Sequence, residues 1–198
     1  VFGILGKGAH GVVYAAEDEM LGSRVAIKCL NADLSAEGTF KLRMHREARV
    51  MGKLSGTSAT QIFAFNKAQD GGLYIVMELL EGRDLADLLK ERGRLHPSEA
   101  VQYLLQACLG LAEVHASGVV HRDLKPQNLF LTQAIDQSTV LKILDFGVAK
   151  ELLLTLETGS GEPITRTNSM LGSPQYMSPE QVRSARSVGI ATDIWALG

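Results

Sequence analysis

Near residue 80 the apolar residues of this 198-residue chain change their spacing from every second position to every third or fourth. Upstream, "VFGILG" (1–6), "GVVYAAED" (11–18) and "RVAIKCL" (24–30) are strand-like runs joined through glycines. The stretch 60–80, "TQIFAFNKAQDGGLYIVMELL", reads as a hairpin turned at Asp70-Gly71-Gly72. One helical segment interrupts them, 36–54, with Phe40, Met44, Met51 and Leu54 on one stripe. Downstream, "RDLADLLKER" is a helix stopped at Gly93. The run from Pro97 to Gly118 is a longer one, with proline near its start and glycine just past its end. Strands at 129–132 and 139–144 flank a polar turn, and 151–172, rich in Thr, Ser and Gly, reads as a long mobile loop. The chain is therefore expected to be α+β in two parts, a β-rich 1–80 and a helix-rich 81–198.

A hydrophobic fraction of 45% is enough to bury a real core. The net charge of −2 and the lack of a basic block speak against a nucleic-acid partner. Cys29 and Cys108 form no disulfide framework and no metal-ligand spacing, and both are expected as small core residues in a reducing compartment. No apolar run reaches the roughly 18 residues of a membrane span, and the first residues lack a signal-peptide pattern. The segment is expected to be soluble and cytoplasmic, with no membrane contact of its own.

The polar chemistry concentrates in a few places. "HRDLKPQN" (121–128) brings an acid, Asp123, a base, Lys125, and an amide, Asn128, together between the apolar runs "GVV" and "LFL". Pro126 opposes a regular helix there, so the cluster reads as a loop positioned by a core. "GKGAHGVV" (6–13) spaces Gly6, Gly8 and Gly11 as a phosphate cradle does. The spacing alone also suits a plain hairpin or a dinucleotide fold. However, Val12, Val13 and Tyr14 favour a following strand over the helix that a dinucleotide fingerprint opens.

Strand alternation in "VAIKCL" puts Ala26, Lys28 and Leu30 on one face, among apolar neighbours. A desolvated ammonium needs an anion. Glu47 falls within the apolar stripe of the 36–54 helix, and pairing would resolve both anomalies. In "KILDFGVAK" (142–150) Asp145 ends an apolar strand, well placed to hold a hard divalent cation over a polyphosphate.

Taken in order, "GKGAHGVV", "VAIK" (25–28), Glu47, "HRDLKPQN", "DFG" (145–147), "SPE" (178–180) and "DIWALG" (193–198) resemble a eukaryotic-type protein kinase of the Ser/Thr class. "GSPQYMSPEQ" (172–181) is especially similar to bacterial members. The resemblance covers nearly the whole chain and implies a bilobal fold, with a β-rich N-lobe and a mainly helical C-lobe that stops at the start of its central helix. It further implies that ATP and Mg²⁺ are used and that serine and threonine hydroxyls of proteins are phosphorylated. Gly6, Lys7, Gly8 and Gly11 would cover the phosphates, and Lys28, held by Glu47, would contact them. Asp123 would accept or orient the hydroxyl proton, Lys125 would approach the γ-phosphate, and Asn128 and Asp145 would bind the metal. Ser173 matches a hydroxyl that contacts Lys125 and Asp123. Met77 matches the gatekeeper, Glu78 and Leu80 the hinge contacts to adenine, Val13 and Ala26 the purine sandwich, and Asp84 a ribose contact. By the same resemblance His121 is a packed structural histidine and Asp193 braces the catalytic-loop backbone.

Arg122 before Asp123 marks members whose activation loop is ordered by phosphorylation. The hydroxyl cluster in "ITRTNSMLGS" makes Thr165 or Thr167 the expected self-phosphorylated site, with Ser169 third. Departures from the family pattern are the segment 53–63, which lacks the usual His-Pro-Asn-type stretch, and the missing arginine partner of Glu180 beyond Gly198. The chain is therefore expected to be a fragment whose parent is in some members membrane-anchored. The alternatives are a nucleotide-binding scaffold without transfer and a small-molecule phosphotransferase. The presence of Lys28, Asp123, Asn128 and Asp145 argues against the first, and the peptide-binding segment against the second.

Overall fold

The structure, a computed structural model, describes residues 1–8, 11–30, 58–134, 136–145, 174–183 and 188–198. The expected helix at 36–54 with Glu47, the loop at 151–172, Phe146, Gly147 and Ser173 lie outside the described residues. Two compact units result, one holding the described residues up to Leu30 with Thr60–Leu80, the other Ser58–Ala59 with the residues from Glu81 onward.

The first unit is an antiparallel sheet of five strands in the order β1-β2-β3-β5-β4. These are β1 (Gly3–Gly8), β2 (Gly11–Asp18), β3 (Ser23–Leu30), β4 (Ile62–Lys67) and β5 (Leu73–Glu78). Polar turn chemistry closes the hairpins. Asp18 Oδ1 accepts the backbone N–H groups of Met20 and Leu21 at 2.9 and 3.1 Å between β2 and β3. Asp70 Oδ1 accepts Gly72 N–H at 2.9 Å between β4 and β5, at the turn the sequence indicates. The central strand β3 buries Val25, Ala26, Lys28 and Leu30.

The second unit is built on a three-stranded sheet, β6 (Gly82–Asp84), β7 (Leu129–Gln133) and β8 (Thr139–Ile143), in that order. Its helices are α1 (Leu85–Arg92), α2 (Pro97–Ala116), α3 (Pro179–Arg183) and α4 (Ile190–Leu197). Sequence periodicity starts α1 at Arg83, whereas Arg83 and Asp84 belong to β6. Asp84 accepts Asp87 N–H at 2.8 Å as the N-cap, and this sets the true start. Among the described residues no helix is long and apolar enough to cross a membrane.

α2 lays Ala107, Gly110, Leu111 and Val114 on Leu141 and Ile143 of β8, all buried. Gly110 makes this close approach possible, since a Cβ there would stand 2.7 Å from Ser58 Cβ and 3.0 Å from Ile143 Cδ1. The edge of β8 that β7 leaves unpaired is satisfied by two unrelated segments. Gln106 Oε1 accepts Leu141 N–H at 2.8 Å, and Ser58 O accepts Ile143 N–H at 2.8 Å. One expectation fails here: Cys108 is exposed. It follows Ala107 by one residue, so the helical turn carries it off the buried stripe.

Candidate active site

In the first unit the register of the sheet assembles what the sequence scatters. Val13 stands opposite Lys28, Ala26 stands opposite both Ala15 and Met77, and Lys28 stands opposite Ile75. Directly opposed residues of antiparallel strands share a face, and so do positions two apart on one strand. Val13, Ala26, Lys28 and Met77 therefore lie on one face of this sheet. Lys28 is buried, with 8% of the residue exposed. Glu47, its expected partner, lies outside the described residues.

The glycine-rich segment is a hairpin, as its strand-favouring flank indicates, with Gly8 paired to Gly11 and Gly6 to Val13. Gly6, Lys7 and Gly8 are exposed on β1. Gly11 adopts φ 142°, and a Cβ on it would fall 1.9 Å from the carbonyl oxygen of Cys29. At Gly8 a Cβ would meet nothing within 4 Å. Glycine at 11 is thus required by the sheet itself, whereas at 8 the described protein makes no such demand. Glu78 is held at the end of β5 by Gln61, whose N–H donates to its Oε1 at 2.7 Å and whose carbonyl accepts its N–H at 3.0 Å. Leu80 follows, half-buried, just past β5. Burial first, then the Asp70 charge, push the Cys29 thiol up, away from thiolate chemistry.

In the second unit the loop 121–128 is fixed at each end and along its length. Asp193, fully buried in the first turn of α4, accepts three hydrogen bonds. His115 Nε2 and His121 N–H reach its Oδ2, and Arg122 N–H reaches its Oδ1, each at 2.8 Å. This is the brace that the resemblance implied, with His115 as a participant that no sequence signal indicated.

His121 is fully buried and forms a second tie. Its Nε2 donates to Leu144 O at 2.8 Å and its Nδ1 accepts Asp123 N–H at 3.3 Å, which requires the neutral Nε2–H tautomer. Burial pushes its pKa below the ordinary histidine value, against the opposing pull of Asp193, the Leu144 carbonyl, Asp123 and Asp145. One ring thus links the backbone of Asp123 to the residue before Asp145, a structural role and not a catalytic one.

The three polar groups of the loop converge. Lys125 Nζ lies 2.8 Å from Asp123 Oδ2, and Asn128 Nδ2 donates to Asp123 O at 2.7 Å. Pro126 opens a short 3₁₀ turn, Pro126–Asn128, that delivers the amide. Asn128 O then accepts Leu144 N–H at 2.8 Å, so Leu144 is held on both backbone sides by this loop. Asp145 follows it, exposed, with φ 51°.

The donor set suits magnesium. Asn128 spends its amide nitrogen on Asp123 and leaves an oxygen, Asp145 offers a carboxylate, and a hard cation prefers oxygen ligands. Among the described residues no cluster of three His, Cys, Asp or Glu side chains forms a self-sufficient metal cage. Past the loop, Glu180 accepts the Thr192 hydroxyl at 2.8 Å. Its own backbone N–H, then that hydroxyl, hold its carboxyl below the usual range.

With the fold and this loop described, comparison with known proteins gives the family. The model of the protein kinase domain matches residues 1–198, and the chain belongs to that family. It is similar to the serine/threonine-protein kinase PrkC of Bacillus subtilis, at 39% identity over 98% of this chain and 28% of PrkC. It is likewise similar to the serine/threonine-protein kinase PknB of Mycobacterium tuberculosis, at 35% identity over 98% of this chain and 30% of PknB. The chain thus spans less than a third of either relative. Among solved structures, the Mycobacterium tuberculosis PknI kinase domain superposes with a TM-score of 0.64 at 26% identity, covering 74% of this chain and 58% of that one. A double-mutant form of the same domain covers 98% of this chain and 69% of its own, with a TM-score of 0.75 at 24% identity, a likeness of fold.

Proposed function

We propose that this chain is the catalytic part of a protein serine/threonine kinase, which transfers the γ-phosphoryl group of ATP to serine and threonine hydroxyls of proteins with Mg²⁺ as cofactor. The observation that carries this reading is the 2.8 Å approach of Lys125 Nζ to Asp123 Oδ2, with Asn128 locked to the Asp123 carbonyl in the same turn. Phosphoryl transfer needs little covalent help. It needs an oriented hydroxyl and neutralised charge.

Bound ATP and Mg²⁺ supply the phosphoryl group and much of that neutralisation. Asp123 accepts the hydroxyl proton or orients it. Lys125 stands beside the same carboxylate as a positive charge for the moving phosphoryl oxygens. Asn128 and Asp145 present oxygens to the metal. In the first unit Lys28 contacts phosphates, with Glu47 as its anion, and Gly6, Lys7, Gly8 and Gly11 cover them. Val13, Ala26 and Met77 pack the purine, Glu78 and Leu80 offer hinge backbone groups, and Asp84 reaches the ribose. Thr165 or Thr167 is the self-phosphorylated site. None of the observations favours a scaffold without transfer.

The test is the full-length protein incubated with labelled ATP and a generic protein substrate. Incorporation into serine and threonine is expected, abolished by Asp123→Asn and by Lys28→Met with the fold intact. No incorporation by the wild type, or undiminished incorporation by both variants, would overturn the reading.

A further inference from the structure

We propose that Gln181 is a positioning residue for phosphoryl transfer, tying the helix α3 to the backbone of the catalytic loop through one side-chain amide. Its catalytic consequence rests on the kinase reading above.

Ser178-Pro179-Glu180-Gln181 forms a capping box at the start of α3. Gln181 N–H donates to Ser178 Oγ at 3.4 Å, and Ser178 N–H donates back to Gln181 Oε1 at 3.1 Å. A glutamate at 181 would complete this box equally well. Glutamine carries one thing more, and the structure uses it: Nε2 donates to the carbonyl oxygen of Arg122 at 2.8 Å.

Arg122 is where such a bond matters most. Its φ is 64°, a left-handed conformation that a non-glycine residue keeps only when its surroundings enforce it. Its N–H is held by Asp193 Oδ1 at 2.8 Å, and Gln181 holds its carbonyl. The residue is thereby clamped on both backbone sides, and the peptide unit that Gln181 grips leads directly into Asp123. Ser178 is itself fully buried and packs its hydroxyl 3.2 Å from Thr192 Oγ1, next to Asp193, so the far end of the tether is anchored on the same helix that braces the loop.

Gln181→Glu in the full-length protein separates the two jobs of this side chain, because it keeps the cap and replaces the donor with a carboxylate facing a carbonyl. Amide hydrogen exchange is expected to quicken at residues 121–124 and to stay unchanged at 180–183. In the same protein kcat is expected to fall about a hundredfold with little change in KM for ATP. Gln181→Met, which removes both bonds without adding charge, is expected to quicken exchange in both segments. Wild-type exchange at 121–124 in either variant overturns the tether. Faster exchange there with undiminished kcat overturns the positioning role. A wild-type protein that transfers no phosphoryl group overturns the kinase reading, and the exchange comparison still decides the tether.

Discussion

Lys125 reaches back over a single residue to place its Nζ 2.8 Å from Asp123 Oδ2, and both side chains are mostly shielded from water. A lysine two positions from an acid on a helix would point elsewhere. Here the extended backbone of Lys125 and the 3₁₀ turn that follows return the two groups to one another.

If Asp123 accepts the substrate proton as proposed, Asp123→Asn keeps its shape and removes its basicity. Phosphoryl transfer by the full-length protein is expected to fall by about 10²–10⁴-fold, while its circular-dichroism melt changes little. Initial rates and the melt, measured on one preparation, check both halves of the statement.

Two glycines of the same hairpin are expected to behave oppositely. Gly11→Ala drives a Cβ into the Cys29 carbonyl at a positive φ and is expected to destabilise the first unit by about 2 kcal/mol or more. Gly8→Ala meets nothing in the described protein and is expected to leave stability unchanged while weakening ATP binding. Urea denaturation followed by nucleotide titration distinguishes the two.

The buried, neutral His121 gives folding a pH dependence of definite sign. Its folded pKa is depressed, so the unfolded chain binds a proton that the folded chain refuses. Stability is fully present above the ordinary histidine pKa and declines as pH falls through it, by at most about 1.4 kcal/mol per pH unit, until the folded ring also protonates. Denaturation midpoints at pH 7.5 and pH 5.5, chosen as roughly one unit either side of that value, are expected to differ more in the wild type than in His121→Gln.

Asp193 accepts three donors with no exposure to water, and Asp193→Asn swaps one acceptor oxygen for an NH₂ group among N–H donors. A loss of about 3 kcal/mol is expected, together with faster amide exchange at His121 and Arg122. Unchanged exchange at those two amides would remove Asp193 as the brace of the loop.

Among the described residues most strands and the helices α1 and α2 were legible from local chemistry, because a local rule makes each of them, whereas β6 was not. Asp70-Gly71-Gly72 turns its hairpin by an aspartate accepting from glycine, Pro97 starts α2, and Gly93 ends α1. The motif residues were legible for the same reason, since Asp123, Lys125 and Asn128 are neighbours in sequence and a proline between them shapes the turn. Only the fold could decide which distant groups meet. Asp193 finds His121 and Arg122 across about seventy residues, Ser58 closes the edge of β8, and sheet register gathers Val13, Ala26, Lys28 and Met77 on one face. Periodicity placed Cys108 in an apolar stretch but not on the outward side of α2, because which stripe of a helix is buried depends on what packs against it. Backbone preferences are written residue by residue, whereas burial and long-range pairing exist only once the elements have packed.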